Sequence, residues 1–519
     1  MLKFNKKLLL LVSVLALMAD SGAAIATEKT FVGAFDVGPS GNAQKFNPLT
    51  ASAGFSFYNK YFSTLTLYDA ALEKINGDLA QSWSFPADGK SMTIRLRKGV
   101  KWHDGAPFTA KDVKFTFNLV KNPDMASSFS ARLNHVTDIQ TPDDSTVVLT
   151  LDTLDASLSD AFTSIMIVPE HLLGKIPVKE LRNSDWWKQP IGTGPFKWHT
   201  YLPDQYVELD ANKNFYRGRP KLDKLVNRYF KDGSSASIAL QAGEIQHTYL
   251  TLDQVKESRN NNVFNVIAGP SNVLNYIGVN NNDPRFKDVR VRQAILLAID
   301  RNAIIKYIYG TQATLSNCVL SLPKYVPADI NQYAMNVKAA KQLLTDAGWH
   351  KLNHDLPIEL LTYYGDQVSK DVVSSLQAML GDIGINIRPR FVDVATFSQA
   401  VESGKFSMVF AGGGNGPDPS VLAPLMASTD APPKGANRMR VNLPELDRLF
   451  QAGQIEADDA KRTEIYKNVC RLTNAKLPWI PLWMTNRFGG VAKNAENVIW
   501  TPAPSGGRYQ DFPENWSLH

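Results

Sequence analysis

The sequence predicts an α/β fold in two lobes around a cleft, with a partly parallel sheet. Three observations carry this. From about residue 280 onward, short apolar runs alternate with amphipathic helical stretches, which is strand–helix–strand order. Before that point the chain reads as strands bounded by turn residues, with fewer helices. Beyond about residue 480 it reads as strands with little helix, which returns the C-terminal segment to the first lobe. A chain of 519 residues has the length for two or three domains and a large core. The expected division is 27–280 for lobe I, with an inserted subdomain over about 70–190, then 281–484 for lobe II and 485–519 for the return. Two lobes joined by crossing connections enclose a cleft, the usual place for a buried ligand.

The first residues stand apart from this fold. Lys3, Lys6 and Lys7 precede an apolar run from Leu8 to Met18, broken by Ser13, and Ala24-Ile25-Ala26 is a small-x-small site. This is the pattern of a secretory signal peptide, with cleavage expected after Ala26. The run falls short of the roughly 20 apolar residues that span a bilayer. No Cys lies near the cleavage site to accept a lipid. Cleavage removes three Lys and one Asp and lowers the formal charge from +6 to +4. That charge is too small and too dispersed for a nucleic-acid partner. Cys318 and Cys470 are the only cysteines. In an oxidising compartment they either pair or remain two separately buried thiols, and the sequence leaves both open.

Thr30 to Gly38 reads as a strand ending in the turn Gly38-Pro39-Ser40-Gly41. Ala53 to Tyr68 is aromatic and helix-like. Met92 to Arg97 places Met92, Ile94 and Leu96 on one strand face. Thr109 with Asp112 resembles a capping box that opens a helix through Leu119. Asp144 to Leu151 is a hairpin arm, Trp186 to Pro195 a loop, and Val207 to Leu209 and Leu225 to Tyr229 are short strands. Ser235 to Gly243 is a helix ending at its glycine. In the second region, helices are expected over Asp288–Tyr307, Val337–Ala347, Asp371–Ile383 and Leu446–Leu472, the last with a break at Ala457-Asp458-Asp459. Strands are expected over Ile358–Thr362, Ile385–Phe391 and Phe406–Phe410.

Catalytic patterns are incomplete. Gly89-Lys90-Ser91 lacks the leading glycine of a phosphate loop, whose place holds Ser84. Gly192-Thr193-Gly194 runs into Pro195 and does not open a dinucleotide-binding helix. There is no G-x-S-x-G elbow. His350 and His354 have the spacing of a helical metal pair but sit between Gly348-Trp349 and Pro357, where a loop is expected. His103-Asp104 lies in a Trp-His-Asp-Gly turn, where a structural hydrogen bond is expected in place of acid–base work. No enzyme activity and no cofactor are expected.

The stretch Leu96 to Phe117, LRKGVKWHDGAPFTAKDVKFTF, closely resembles the signature of the bacterial extracellular solute-binding proteins of family 5. Further matches run collinearly along the chain. They are Ala80-Gln-Ser-Trp83, Ile191-Gly-Thr-Gly-Pro-Phe196, the segment Asn214 to Pro220, Ala239 to Ile245, Asp288 to Ile295, Ala298 to Arg301, and Leu477 to Leu482. The resemblance implies a two-lobed periplasmic-binding-protein fold of the cluster C type, with an extra subdomain in the first lobe and a ligand cleft at the hinge. It implies a monomeric receptor in the periplasm that closes on a small-molecule solute. The implied partners are the membrane permease subunits of an ABC importer, with their ATPase subunits.

Dipeptide-type relatives hold the ligand's ammonium with an Asp in a G-W-x-x-D-N-x-D-P loop. The corresponding stretch here is Ala411 to Pro419, AGGGNGPDP. With Asp418-Pro419 aligned to the D-P, Asn415 occupies the Asp position and the Trp is gone. Tyr363-Tyr364 stands where those relatives carry an Arg for the peptide carboxylate. Neutral Asn, a glycine-rich backbone and nearby aromatics fit an oligosaccharide, a sugar conjugate or an opine-like solute, with a di- or oligopeptide as the alternative. The expected ligand-binding residues are Gly412, Gly413, Gly414, Asn415 and Asp418, joined by Gly38, Ser40, Arg438, Trp483 and Tyr58.

Overall fold

The structure is a computed structural model and describes residues 28–34, 46–50, 55–86, 89–258, 263–310, 312–354, 356–414, 416–433, 435–499 and 512–519. The basic and apolar N-terminal stretch, the turn holding Gly38 and Ser40, and Asn415 lie outside them.

An eleven-stranded sheet runs through the molecule. At one end, Ile358–Thr362 pairs in parallel with both Ile387–Phe391 and Met408–Gly414. At the other, Thr30–Ala34 pairs in parallel with Lys224–Arg228 and touches His247–Leu250. Two long strands, Phe264–Val279 and Trp479–Ala492, lie between these ends and pair with each other antiparallel. Their outer halves belong to different cores. Phe264 and Phe488 pack with Leu240 and Leu250, whereas Ile277, Ile480 and Leu482 pack with Val291, Leu376 and Phe410.

The two long strands change register midway. Pro270 pairs with Asn486 and Leu274 with Met484, so Ser271, Asn272 and Val273 together face the single residue Thr485. Asn272 adopts a left-handed φ of 53°, a conformation that Asn tolerates better than most side chains. The Ser271 hydroxyl donates to the Thr485 carbonyl at 2.7 Å and accepts from the Val273 N–H at 3.3 Å. Such a bulge bends the strand that carries it, and here it marks the boundary between the two bodies.

A separate four-stranded sheet is ordered Ala80–Ser84, Ser91–Leu96, Thr146–Leu151, Val136–Asp143. The helix Ala110–Lys121 packs beside it and has the expected capping box, with the Asp112 carboxylate accepting the Thr109 N–H at 2.8 Å. Elsewhere the loop expected around His350 holds the short helix Trp349–Asn353, and two further elements differ from expectation. Among the described residues, the aromatic stretch before Tyr68 is helical over Phe55–Tyr58 alone, because its rings form an irregular core instead of one helical face. The helix expected over Asp288–Tyr307 is two helices, Val289–Ala298 and Arg301–Tyr307, since the Asp300 side chain caps a new start by accepting the Ala303 N–H. The break at Ala457–Asp459 falls where expected, with Asp458 as the next N-cap. Cys318 and Cys470 are bridged, with their Cα atoms 5.4 Å apart.

Candidate ligand-binding site

The glycine run ends the strand Met408–Gly414, which reaches the bulge: Gly414 pairs with Val273, and Gly413 with Leu274. On its other edge this strand is covered by Ile358–Thr362 only at Met408 and Val409. Backbone groups alternate between the two edges of a strand. Part of the polar backbone of Gly412 to Gly414 therefore faces away from Phe264–Val279, with no strand beside it among the described residues.

One of these glycines, Gly412, is required locally. A Cβ on Gly412 would overlap the Tyr364 hydroxyl, while the Tyr363 hydroxyl donates to the Gly412 carbonyl at 3.2 Å. Tyr363 and Tyr364 contact each other with ring centroids 4.6 Å apart. At Gly413 a Cβ would approach Tyr276 and Trp479, whose rings stack 4.4 Å apart and 10° from parallel. The strand end is thus bracketed by tyrosines and a Tyr–Trp stack. Two buried donors near it, the Asn272 side-chain amide and the Trp479 indole N–H, have no acceptor among the described residues. Unsatisfied buried donors are costly and rare, and a ligand oxygen would satisfy them.

The remaining expected residues fall elsewhere. Trp483 has no exposed surface and packs in the core with Phe410 and Tyr309, and its indole N–H, like that of Trp479, has no acceptor among the described residues. Tyr58 is buried in the aromatic core beside Phe57 and Tyr61, not on a cleft wall. Arg438 is exposed and pairs with Glu402 at 2.8 Å. Asp418 is buried, and its two carboxylate oxygens meet the Arg462 guanidinium at 2.7 and 2.8 Å. Burial pushes the Asp418 carboxyl up, but Arg462 and the Ser420 N–H outweigh burial and hold it below the ordinary carboxylate range. Both oxygens are occupied, so Asp418 acts as an internal counter-ion and as the cap of the turn Pro419–Leu422.

Sequence reasoning passed over three features. The bulge at Ser271–Asn272 has no local pattern. The hydroxyl contacts of Tyr363 and Tyr364 depend on a strand about 50 residues away. Arg487 lies one residue beyond the bulge's partner segment, half-buried with its guanidinium 4.5 Å over the Tyr249 ring, and no carboxylate among the described residues pairs with it. An unpaired arginine in a strand is a visible signal, but the sequence does not tell which arginines are paired.

The family-like turns are structural. The Gly192 N–H donates to His103 Nδ1 at 3.2 Å, so His103 Nε2 donates to the Gly194 carbonyl at 3.0 Å. Burial lowers the His103 pKa to about 4 and keeps the ring neutral. His103 therefore ties the Trp-His-Asp-Gly turn to the Gly-Thr-Gly-Pro-Phe loop. Among the described residues, one cluster has the composition of a metal site: His199, Glu208 and Asp210. Asp210 holds Nδ1 of the imidazole at 2.7 Å, Glu208 lies 3.8 Å from Nε2, and Lys224 takes Glu208 at 2.9 Å. The carboxylates flank opposite ring nitrogens, which does not suit a shared ion. His350 lies in the short helix Trp349–Asn353 and His354 ends it with φ 49°, so the two do not share a helix face.

Residues 74–433 match the family model for bacterial extracellular solute-binding proteins, family 5 (middle region). A Brucella melitensis protein named "Putative ABC transporter peptide-binding protein" is 46% identical over 495 residues, covering 94% of each chain. The substrate-binding protein CtaP of Listeria monocytogenes superposes with a TM-score of 0.84 at 26% identity, covering 95% of this chain and 99% of its own. The oligopeptide-binding protein AppA of Bacillus subtilis, solved with a nonapeptide, gives a TM-score of 0.78 at 26% identity over 95% and 99%. With a family model spanning most of its length and a relative this similar over nearly all of it, the chain belongs to family 5 of the bacterial extracellular solute-binding proteins.

Proposed function

We propose that this protein is the receptor of an ABC importer and captures a peptide as an extended strand. The observation that carries the peptide reading is the edge of Gly412–Gly414 at the bulge, which has no partner strand among the described residues and is met at Gly412 by the Tyr363 hydroxyl. An edge of this kind offers main-chain hydrogen bonds to another backbone, the mode known as strand addition. The Brucella relative's name and the nonapeptide held by AppA point to the same class. Asn272 supplies a further donor, and Arg487 a positive charge near the bulge. The bracketing aromatics give apolar contact without a fixed sequence requirement.

The importer reading includes three further parts. Residues 1–26 direct export to the periplasm. The receptor works as a monomer and hands its solute to a permease served by ATPase subunits. It acts as a binding protein and not as an enzyme, and its turn histidine His103 is bonded on both ring nitrogens to glycine backbone groups. Among the described residues no helix is long and apolar enough to cross a membrane.

One observation favours a second reading. Asn415 and the Tyr363–Tyr364 pair stand where dipeptide-type relatives keep ionic anchors, which suits an uncharged sugar conjugate or opine-like solute. Mass spectrometry of what is released when protein purified from its native cells is denatured separates the two. Peptides in the released fraction are expected, and a sugar conjugate alone would contradict the peptide reading.

A further inference from the structure

A cavity of about 410 Å³ lies between the inserted subdomain and the second body, in the size range of small-molecule pockets. One wall comes from the segments 68–85 and 156–159, and the other from 324–325, 417–418 and 457–462. The walls touch where the Ala156 N–H donates to the Gln454 carbonyl at 2.8 Å. Because they belong to bodies joined through the bulged strands, they part if the bodies swing open.

The floor and the rim differ in chemistry. Tyr68, Tyr325, Asp418 and Arg462 form a buried floor. Its charges are already matched, since Asp418 and Arg462 neutralise each other and the Tyr68 hydroxyl donates to Asp160 at 2.8 Å. What the floor presents is aromatic and neutral overall, and Trp83 and Phe85 extend it. The rim carries Glu73 and Lys74 on one wall and Lys324 and Asp459 on the other. All four are exposed, and none forms an ion pair among the described residues. Each wall thus offers one cation and one anion above a floor of tyrosine rings and a closed Asp418–Arg462 pair. A molecule carrying both charges on a short frame would meet opposite charge from both sides, and charge-assisted hydrogen bonds are the stronger kind.

We propose that this cavity is a second binding site, for a small zwitterion with an apolar side chain such as a free α-amino acid. The site is separate from the glycine strand and does not rest on the peptide reading. Its occupant touches both bodies, so it binds the closed arrangement in preference to the open one and shifts the population toward closure.

Calorimetric titration of the full, ligand-free protein with L-phenylalanine tests this, with N-acetyl-L-phenylalanine and L-phenylalanine amide as probes lacking one charge. L-Phenylalanine should bind, and removing either charge should weaken it at least tenfold. The double variant Lys74→Ala/Lys324→Ala should lose at least tenfold in L-phenylalanine affinity while keeping its affinity for peptides. The isosteric pair Glu73→Gln/Asp459→Asn should lose a similar factor, which guards against a folding defect in the lysine variant. No binding of L-phenylalanine to the native chain would overturn the proposal. So would binding that survives the capped probes or both sets of substitutions. Failure of the peptide reading would show separately, as absent peptide binding with the L-phenylalanine titration intact.

Discussion

A Cβ on Gly192 would overlap the Tyr61 carbonyl, and one on Gly194 would press on the Tyr61 backbone. Neither glycine is there for a ligand. Gly192→Ala should therefore destabilise the fold by about 1–3 kcal/mol or more, as overpacking does, and its urea midpoint should fall while any peptide affinity of the folded fraction stays unchanged. His103, bonded to the same loop, makes a second residue-scale prediction. Burial lowers its pKa from 6.5 to about 4, and His247, buried near Lys60, is lowered to about 4 as well. In the unfolded chain each takes a proton near 6.5, but in the folded protein only near 4. The stability tied to these neutral rings is present above pH 6.5 and is lost as pH falls toward 4. Each ring contributes up to about 1.4 kcal/mol per pH unit in that window. Unfolding free energies measured from pH 7 to 4 should fall less steeply in His103→Gln than in the native chain. The sequence made the turn around His103 legible as structural, because Gly and Asp mark turns. It did not make Asp418 legible as a counter-ion, because its partner Arg462 lies 44 positions away.

At the scale of elements, local signals did well and distant pairings did not. Thr109 and Asp112 announce their helix through side chains three residues apart. The helix expected over Val337–Ala347, stopped by Gly348, is read from periodicity and the glycine, and the structure has it over Val337–Asp346 with a left-handed φ of 69° at Gly348. By contrast, Phe264–Val279 and Trp479–Ala492 pair over a separation of about 200 residues, and neither segment carries a mark of the other. The bulge between them follows from that pairing, so it too was hidden. The pairing of Cys318 with Cys470 was open for the same reason. That bridge ties the segment before Leu320 to the helix Asp459–Lys476 across a sequence separation of 152. In the chain-entropy account a loop of that length stabilises by about 5 kcal/mol. Cys318→Ala/Cys470→Ala should lower the unfolding free energy by a few kcal/mol, and reduction of the native protein should lower its melting temperature in the same direction. Equal stability with and without reductant would mean that the bridge contributes little. The Asp418–Arg462 pair belongs to this scale as well, since it fastens the turn after the glycine strand to the same helix. Asp418→Ala strands a buried guanidinium and should cost about 3–5 kcal/mol, read as a lower urea midpoint.

For the whole molecule, the two-lobed plan was legible because family-like motifs run collinearly from Ala80 to Leu482, and because strand–helix alternation begins where the first long crossing strand ends. The ligand was less legible. Sequence alignment of AGGGNGPDP pointed to lost ionic anchors and so to a sugar-like solute. The structure adds that Gly412 makes room for the Tyr364 hydroxyl and that one edge of the strand end has no partner strand among the described residues. A ligand that binds the closed protein and not the unfolded chain raises the melting temperature by linkage, so closure and affinity are read by the same experiment.

The most direct test of strand addition at Gly412–Gly414 is calorimetric titration of the ligand-free protein with a peptide and with the same peptide N-methylated along its backbone. Side chains and charge are unchanged, while each main-chain N–H donor is replaced by an N-methyl group that also blocks close approach of a neighbouring strand. The account predicts that the unmodified peptide binds and that N-methylation weakens it at least tenfold. Equal affinity for the two, or binding of a sugar conjugate with none of either peptide, would contradict it.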